Sequence, residues 1–202
     1  MVAIIGEPGD SWLSQRDHAL FLLMYNTGAR VSEMIGIKVA DVVLDPSAAC
    51  VHLHGKGRKQ RSVPLWRSTV KALRAWLHVN PQFDGASPLL PNRSGHKMTR
   101  ANVTLRLVSA VLRAMETRPA LAKRKVSPHT IRHTTAMHLL QAGVDISVIA
   151  LWLGHESPVT THHYVEADLA MKERALAKLH EPDAKVQRYR APDSLLDFLR
   201  TL

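Results

Sequence analysis

One stretch of this chain abandons helical spacing, and that stretch sets the fold class. Between Val39 and Leu65 apolar and polar residues alternate, Val51 and Leu53 against His52 and His54, with Val63 and Leu65 beyond a "GKGRKQR" turn. A period of two puts successive side chains on opposite faces of a strand, so two or three short antiparallel strands are expected here. Elsewhere the pattern is helical. A helix is expected through "QRDHALFLLMYNTG", capped by Asp10 or Ser14, with Ala19, Leu22 and Leu23 at helical spacing and Gly28 as its stop. A short helix follows at "VSEMIGI", then helices over 66–79, over 99–117 with Thr99 as cap, and over 128–142 with Ser127 as cap and Pro128 at the first helical position. Asp145 caps "ISVIALWLG", and Ser157 with Pro158 repeats the cap-then-proline signal just before Tyr164. Residues 80–98 carry three prolines and two glycines and read as a long loop. The expected class is mainly α with a small antiparallel β-sheet, an α+β fold.

With 202 residues, 46% of them hydrophobic, the chain can bury one sizeable core. Lys and Arg number 27 against 17 Asp and Glu, a formal charge of +10 that favours a polyanionic partner, nucleic acid or an acidic membrane surface. Its longest apolar runs, such as "ALFLLMY" at 19–25, are too short to span a bilayer, so no membrane segment is expected. Cys50 is the single cysteine and excludes an internal disulfide. No basic stretch precedes "VAIIG" as a secretory signal would require, so the expected location is cytoplasmic. "HEPDAKVQRYRAP" at 180–192 reads as a linker. Beyond it "DSLLDFLRTL" places Leu195, Leu196, Leu199 and Leu202 on one helical stripe.

Several residues carry chemistry, each with a plainer alternative. In "SPHTIRH", His129 and Arg132 stand three apart near a helix N-terminus, where backbone N–H groups and the dipole favour an anion; the alternative is two surface side chains without a role. His129 and His133 have the four-residue spacing of zinc ligands. Thr130 stands where a zinc protease needs Glu, and no Cys-x-x-Cys supplies further ligands, so His133 and His138 are read as packed or hydrogen-bonded. Arg30, in "NTGARVSE", follows a helix-ending glycine; its fork suits two phosphate oxygens, or it bridges two helices. Glycines flank Lys56 in "HGKGRKQR", a solvated basic turn or a lysine able to reach a leaving oxygen. Two basic clusters, Lys56, Arg58, Lys59 and Arg61 and then Lys123, Arg124 and Lys125, are candidate contacts to backbone phosphates. Finally "LGHESPVTTHHY" leaves eight residues between His155 and Tyr164, with His162 and His163 read as positioning or exposed.

In this order, "TGARVSE", "GKGRKQR", "HTIRH" and "LGHESPVTTHHY" resemble the motifs of the tyrosine recombinases, the phage-integrase family, over residues 12–180. The resemblance implies that Tyr164 attacks a DNA phosphodiester and becomes linked to the 3′ phosphate. Arg30 and Arg132 would then hold the non-bridging oxygens, Lys56 protonate the 5′ oxygen, His129 help take the tyrosine proton, and His155 bond the phosphate. It implies double-stranded DNA as partner, self-association into a tetrameric synapse, and no metal or nucleotide cofactor. A phenol of pKa about 10 needs such a base and positive site to react near neutrality. The expected organisation is a catalytic domain over 1–180 and, over 181–202, a linker and C-terminal helix exchanged between protomers. The family's N-terminal core-binding domain is expected to be absent. Two alternatives stay open: a type IB topoisomerase-like relaxation activity, and a non-catalytic DNA-binding module, against which the complete residue set argues.

Overall fold

The computed structural model describes residues 1–55 and 60–155. After a short helix, α1 (Val2–Ile5), the helix α2 (Trp12–Thr27) grows from Ser11, whose hydroxyl accepts the Ser14 N–H at 3.1 Å. The cap is therefore neither Asp10 nor Ser14. The Ser14 hydroxyl instead accepts the Gly9 N–H at 2.9 Å and closes the preceding turn. Helices α4 (Arg67–His78) and α6 (Pro128–Gln141) both pack against α2. Burial accordingly extends around it, from Leu20, Leu23 and Met24 to Arg16, Asp17 and Asn26, which is why its sequence shows no clean apolar stripe.

The expected sheet has three strands, β1 (Val42–Val43), β2 (Cys50–His54) and β3 (Gln60–Pro64), antiparallel in the order β1-β2-β3. Val51 pairs with Val63 and Leu53 with Arg61; Val51, Leu53 and Val63 are fully buried, while His54 on the alternate face is exposed. Helix α3 is a single turn, Val31–Met34. Residues 80–98 form a loop that is pinned down. The Leu89 N–H donates to the Ile37 carbonyl at 2.9 Å, the Leu89 carbonyl accepts the Trp76 indole N–H at 2.8 Å, and Leu89 and Leu90 enter the core.

Thr99 caps α5 (Arg100–Thr117), accepting the Asn102 N–H at 3.1 Å, and Ser127 caps α6 with Pro128 at its first turn. Between them Pro119–Lys123 winds into a 3-10 turn that carries no sequence signal beyond its proline. Asp145 accepts the Ser147 N–H at 2.8 Å and caps α7 (Ile146–Leu153). The fold is mainly helical with one small antiparallel sheet. No helix among the described residues is long and apolar enough to cross a membrane. Ser157, Pro158, the linker at 180–192 and the leucine stripe at 195–202 lie outside the described residues.

Candidate active site

Two helix C-termini meet at the site. Helix α2 ends at Gly28 and α7 at Gly154, both in the left-handed conformation with φ 58° and 65°. Carbonyls in a last helical turn lack intrahelical partners and carry the negative end of the dipole, so a cation is favoured beside them. Arg132, on α6 and buried, fills that role twice. Its Nη1 donates to the Gly28 carbonyl at 2.6 Å and its Nη2 to the Leu153 carbonyl at 2.9 Å. One guanidinium thus joins the turn that leads to Arg30 with the turn that leads to His155. Gly28 is required twice over: its φ excludes most side chains, and a β-carbon there would lie 2.5 Å from Leu153 Cδ2.

Arg30 opens α3, with its side chain 46% exposed. Its N–H donates to Glu33 Oε2 at 2.8 Å, and its Nη1 reaches Glu33 Oε1 and the Gly154 carbonyl, each at 3.3 Å. Glu33 is buried and also takes both arms of Arg61, at 2.8 and 2.9 Å. Burial pushes its carboxyl up, but the Arg61 and Arg30 hydrogen bonds and charges outweigh that and hold it below the usual range. Arg61, expected among the phosphate-facing residues of the basic turn, also has partners within the protein. Both its Nη atoms bond Glu33 and its Nε donates to the Trp152 carbonyl at 2.9 Å, so it ties β3 to the cleft that it lines. Gly154 makes room for it, since a β-carbon there would fall 2.7 Å from Arg61 Nη1.

His155 follows, its N–H donating to the Ala150 carbonyl at 2.9 Å. Burial, and then the charges of Arg132, Arg30 and Arg61, bring its imidazole down to about 4, so the ring is neutral near neutral pH and can donate a hydrogen bond without adding charge. Arg30, His54, Gln60, Arg61, Arg100 and His155 line a cleft of about 870 Å³. His129 is exposed in the first turn of α6, its ring 6.2 Å from that of His133, whose imidazole is lowered by burial and by the charge of His129. His138, read from sequence as packed or bonded, meets the Tyr25 hydroxyl through Nδ1. Lys123, Arg124 and Lys125 are exposed. Lys56, Arg58, Lys59 and Tyr164 lie outside the described residues. Sequence reasoning missed Glu33, His54 and Arg100. Only Glu33 carried a signal, an acid at the third position of a helix.

Two arginine forks and a neutral imidazole around one cleft make an anion site of the kind that stabilises phosphoryl oxygens. On this helical frame with its small sheet, they define a protein with an open site suited to an anion. The chain belongs to the phage integrase family, whose pattern matches residues 1–171. It is 44% identical over 201 residues to the putative integrase/recombinase y4rC of Sinorhizobium fredii, covering 99% of this chain and 60% of that one. With the tyrosine recombinase XerC of Neisseria gonorrhoeae it shares 41% identity over 89% of its length and 56% of the relative's. The chain thus spans somewhat more than half the length of these relatives. Among solved structures it resembles the XerH site-specific recombinase bound to a palindromic difH substrate in a post-cleavage complex, with TM-score 0.71, 25% identity, and coverage of 87% of this chain and 49% of that one. The XerA recombinase matches with TM-score 0.70 and 26% identity, over 83% of this chain and 60% of that one.

Proposed function

We propose that this chain is the catalytic part of a site-specific DNA recombinase that cuts and rejoins strands through a 3′-phosphotyrosyl intermediate, without a metal ion. The observation that carries the reading is the placement of Arg132, which joins the Arg30 turn to the His155 turn and so gathers three phosphate-binding groups from α2–α3, α6 and α7. Tyr164 Oη attacks the phosphorus, the bond to the 5′ oxygen breaks, Lys56 gives that oxygen its proton, and His129 helps to take the proton of the phenol. Arg30, Arg132 and His155 stabilise the charge that grows on the non-bridging oxygens, where one such contact contributes on the order of 3 to 4 kcal/mol. The phosphotyrosyl bond conserves the energy of the bond broken, and the freed 5′ hydroxyl of a second strand reverses the step. Double-stranded DNA is the partner, with four protomers in the synapse and residues 193–202 passed between them. Two features support DNA: the +10 charge and the kinship with recombinases.

The test is a nicked duplex that loses its short 5′ product on cleavage, so that the covalent adduct accumulates. Wild type should form it in the presence of chelator, and Tyr164→Phe should bind the duplex without forming it. An adduct from the Phe variant would point to another nucleophile, and loss with chelator to a metal. Lys56→Ala should lose far more activity on ordinary DNA than on a 5′-bridging phosphorothiolate, whose sulfur leaves without a proton. Relaxation of supercoils by single protomers, with no strand exchange, would favour the topoisomerase-like alternative.

A further inference from the structure

His54 lines the same cleft as Arg30, Arg100 and His155, yet the reaction proposed above gives it no task. It is the last residue of β2, and its side chain is 48% exposed. The Nε2 of its ring lies 3.0 Å from Asp41 Oδ1, while Asp41 Oδ2 accepts the Lys38 N–H at 2.8 Å. Both carboxylate oxygens are therefore engaged. Burial pushes the Asp41 carboxyl up, but its bonds from Lys38 and His54 and their charges hold it below the usual range, so it is an ionised acceptor. The proton on His54 must then sit on Nε2, pointing at Asp41, which is outside the lining of the cleft. Nδ1 is left as the nitrogen for any other partner. In the neutral ring Nδ1 is only an acceptor and a phosphate oxygen gains nothing from it. In the imidazolium it is a charged donor.

The pair is a poor strap for the fold. An exposed ion pair adds little stability, and β2 is already held at this point by its ladder, His54 opposite Gln60 and Leu53 opposite Arg61. What Asp41 supplies is orientation, since its carboxylate holds the Nε2 side of the ring and leaves Nδ1 to the other. We propose that His54, oriented by Asp41, is a phosphate-binding residue of the cleft that engages DNA only in its protonated form. The inference rests on DNA being the ligand.

The charges around it suit this role. Arg61 on β3 and Arg30 on α3 are offset by Glu33, and Arg100 opens α5 on the far wall. Lys38 lies in the turn with Asp41, His52 shares the outward face of β2 and is bonded to Ser62 at 2.8 Å, and His155 is held neutral. An incoming phosphate adds the negative charge that draws a proton onto His54. Histidine is the side chain that ordinarily changes charge between about pH 5 and 8, so affinity should rise as pH falls through that range.

The experiment is duplex binding by fluorescence anisotropy with the full chain, between pH 5.5 and 8.5, with a salt series at each pH. The chain has twelve histidines, so the readout is the difference between wild type and His54→Gln. For wild type the log–log salt slope should be steeper at the low end of pH by about 0.9, one further phosphate. In His54→Gln that extra slope and the extra gain in affinity at low pH should both vanish, while affinity at pH 8.5 matches wild type. Asp41→Asn, which leaves His54 in place but removes the carboxylate that fixes the proton on Nε2, should reduce the gain at low pH. Unchanged pH dependence in His54→Gln, or an equal loss of affinity at both ends, overturns the inference and leaves DNA binding intact. Absence of salt-dependent duplex binding by wild type at every pH would instead overturn the DNA reading, and this inference with it.

Discussion

Asp17 and Glu33 each sit between two guanidiniums, yet the two clusters do opposite things. Asp17 takes Arg16 through Nη2 at 2.6 Å and Arg106 through Nε at 2.6 Å, and Arg16 Nη1 goes on to the Pro91 carbonyl at 3.1 Å. Arg16 is buried and lies over the Trp12 ring, so this cluster fastens α2 to α5 and to the 80–98 loop with the Arg16–Asp17 pair enclosed. Around Glu33 the guanidiniums of Arg30 and Arg61 share one carboxylate, and Arg30 faces the cleft. The same ionic chemistry, two guanidiniums on one carboxylate, is a rivet where it is packed between elements. It is a seat for an anion where one of the guanidiniums faces an open cleft.

The comparison breaks if the two clusters cannot be separated by mutation. Asp17→Asn leaves buried Arg16 without its carboxylate and should lower the unfolding free energy by about 3 to 5 kcal/mol, read from the denaturation midpoint. Adduct formation per folded molecule should stay as in wild type; a fall would mean that the rivet also shapes the site. Arg30→Ala should do the reverse. Cleavage in single turnover should drop by about 10² to 10³-fold, with stability changed by no more than about 1 kcal/mol, as for an exposed pair.

A smaller effect comes from pH. An unfolded histidine takes its proton below about 6.5, whereas folded His155 refuses it until about 4. Within that window the unfolded state holds more protons, so stability falls as pH drops from about 6.5 to about 4 and His155 adds nothing further below. Glu33 is a carboxylate with a lowered value, so its stabilising share is present above its unfolded value and is lost as pH falls through the folded one. Thermal melts across this range for His155→Gln should show a shallower decline between the two limits than wild type, and an identical profile would remove His155 from the cluster. The smallest effect sharpens the open side of the comparison. Alanine at Lys123, Arg124 or Lys125 should each reduce the salt slope of DNA binding by about 0.9 where that residue meets a phosphate, with cleavage of bound DNA untouched.

Much of the frame was legible because its signals are local. Thr99, Ser127 and Asp145 cap the helices they were expected to cap, since a cap needs only the next two or three N–H groups. The alternation at Val51, Leu53 and Val63 became a sheet with the expected buried face. The start of α2 was misread because three polar residues compete within five positions, and only the fold of the preceding turn selects Ser11 over Ser14. The bond of Arg61 to Glu33 was not legible for another reason. As a letter in "GKGRKQR" Arg61 looks like its neighbours, but at its place in the strand it faces Glu33.

By itself the sequence determined the helices and the strand pair, the excess of positive charge, and the order of Arg30, Lys56, His129, Arg132, His155 and Tyr164 that marks the family. These follow from periodicity, capping chemistry and composition, which act over a few residues or over the whole chain at once. What only the tertiary structure decided is which charges are spent and which are offered. Arg132 meets a carbonyl 104 positions away and another 21 away, and Arg61 meets a carboxylate 28 away. His155 is neutral only because burial and three arginines surround it. Such pairings depend on how helices pack, and desolvation depends on everything that covers a group, so no spacing along the chain could have carried them.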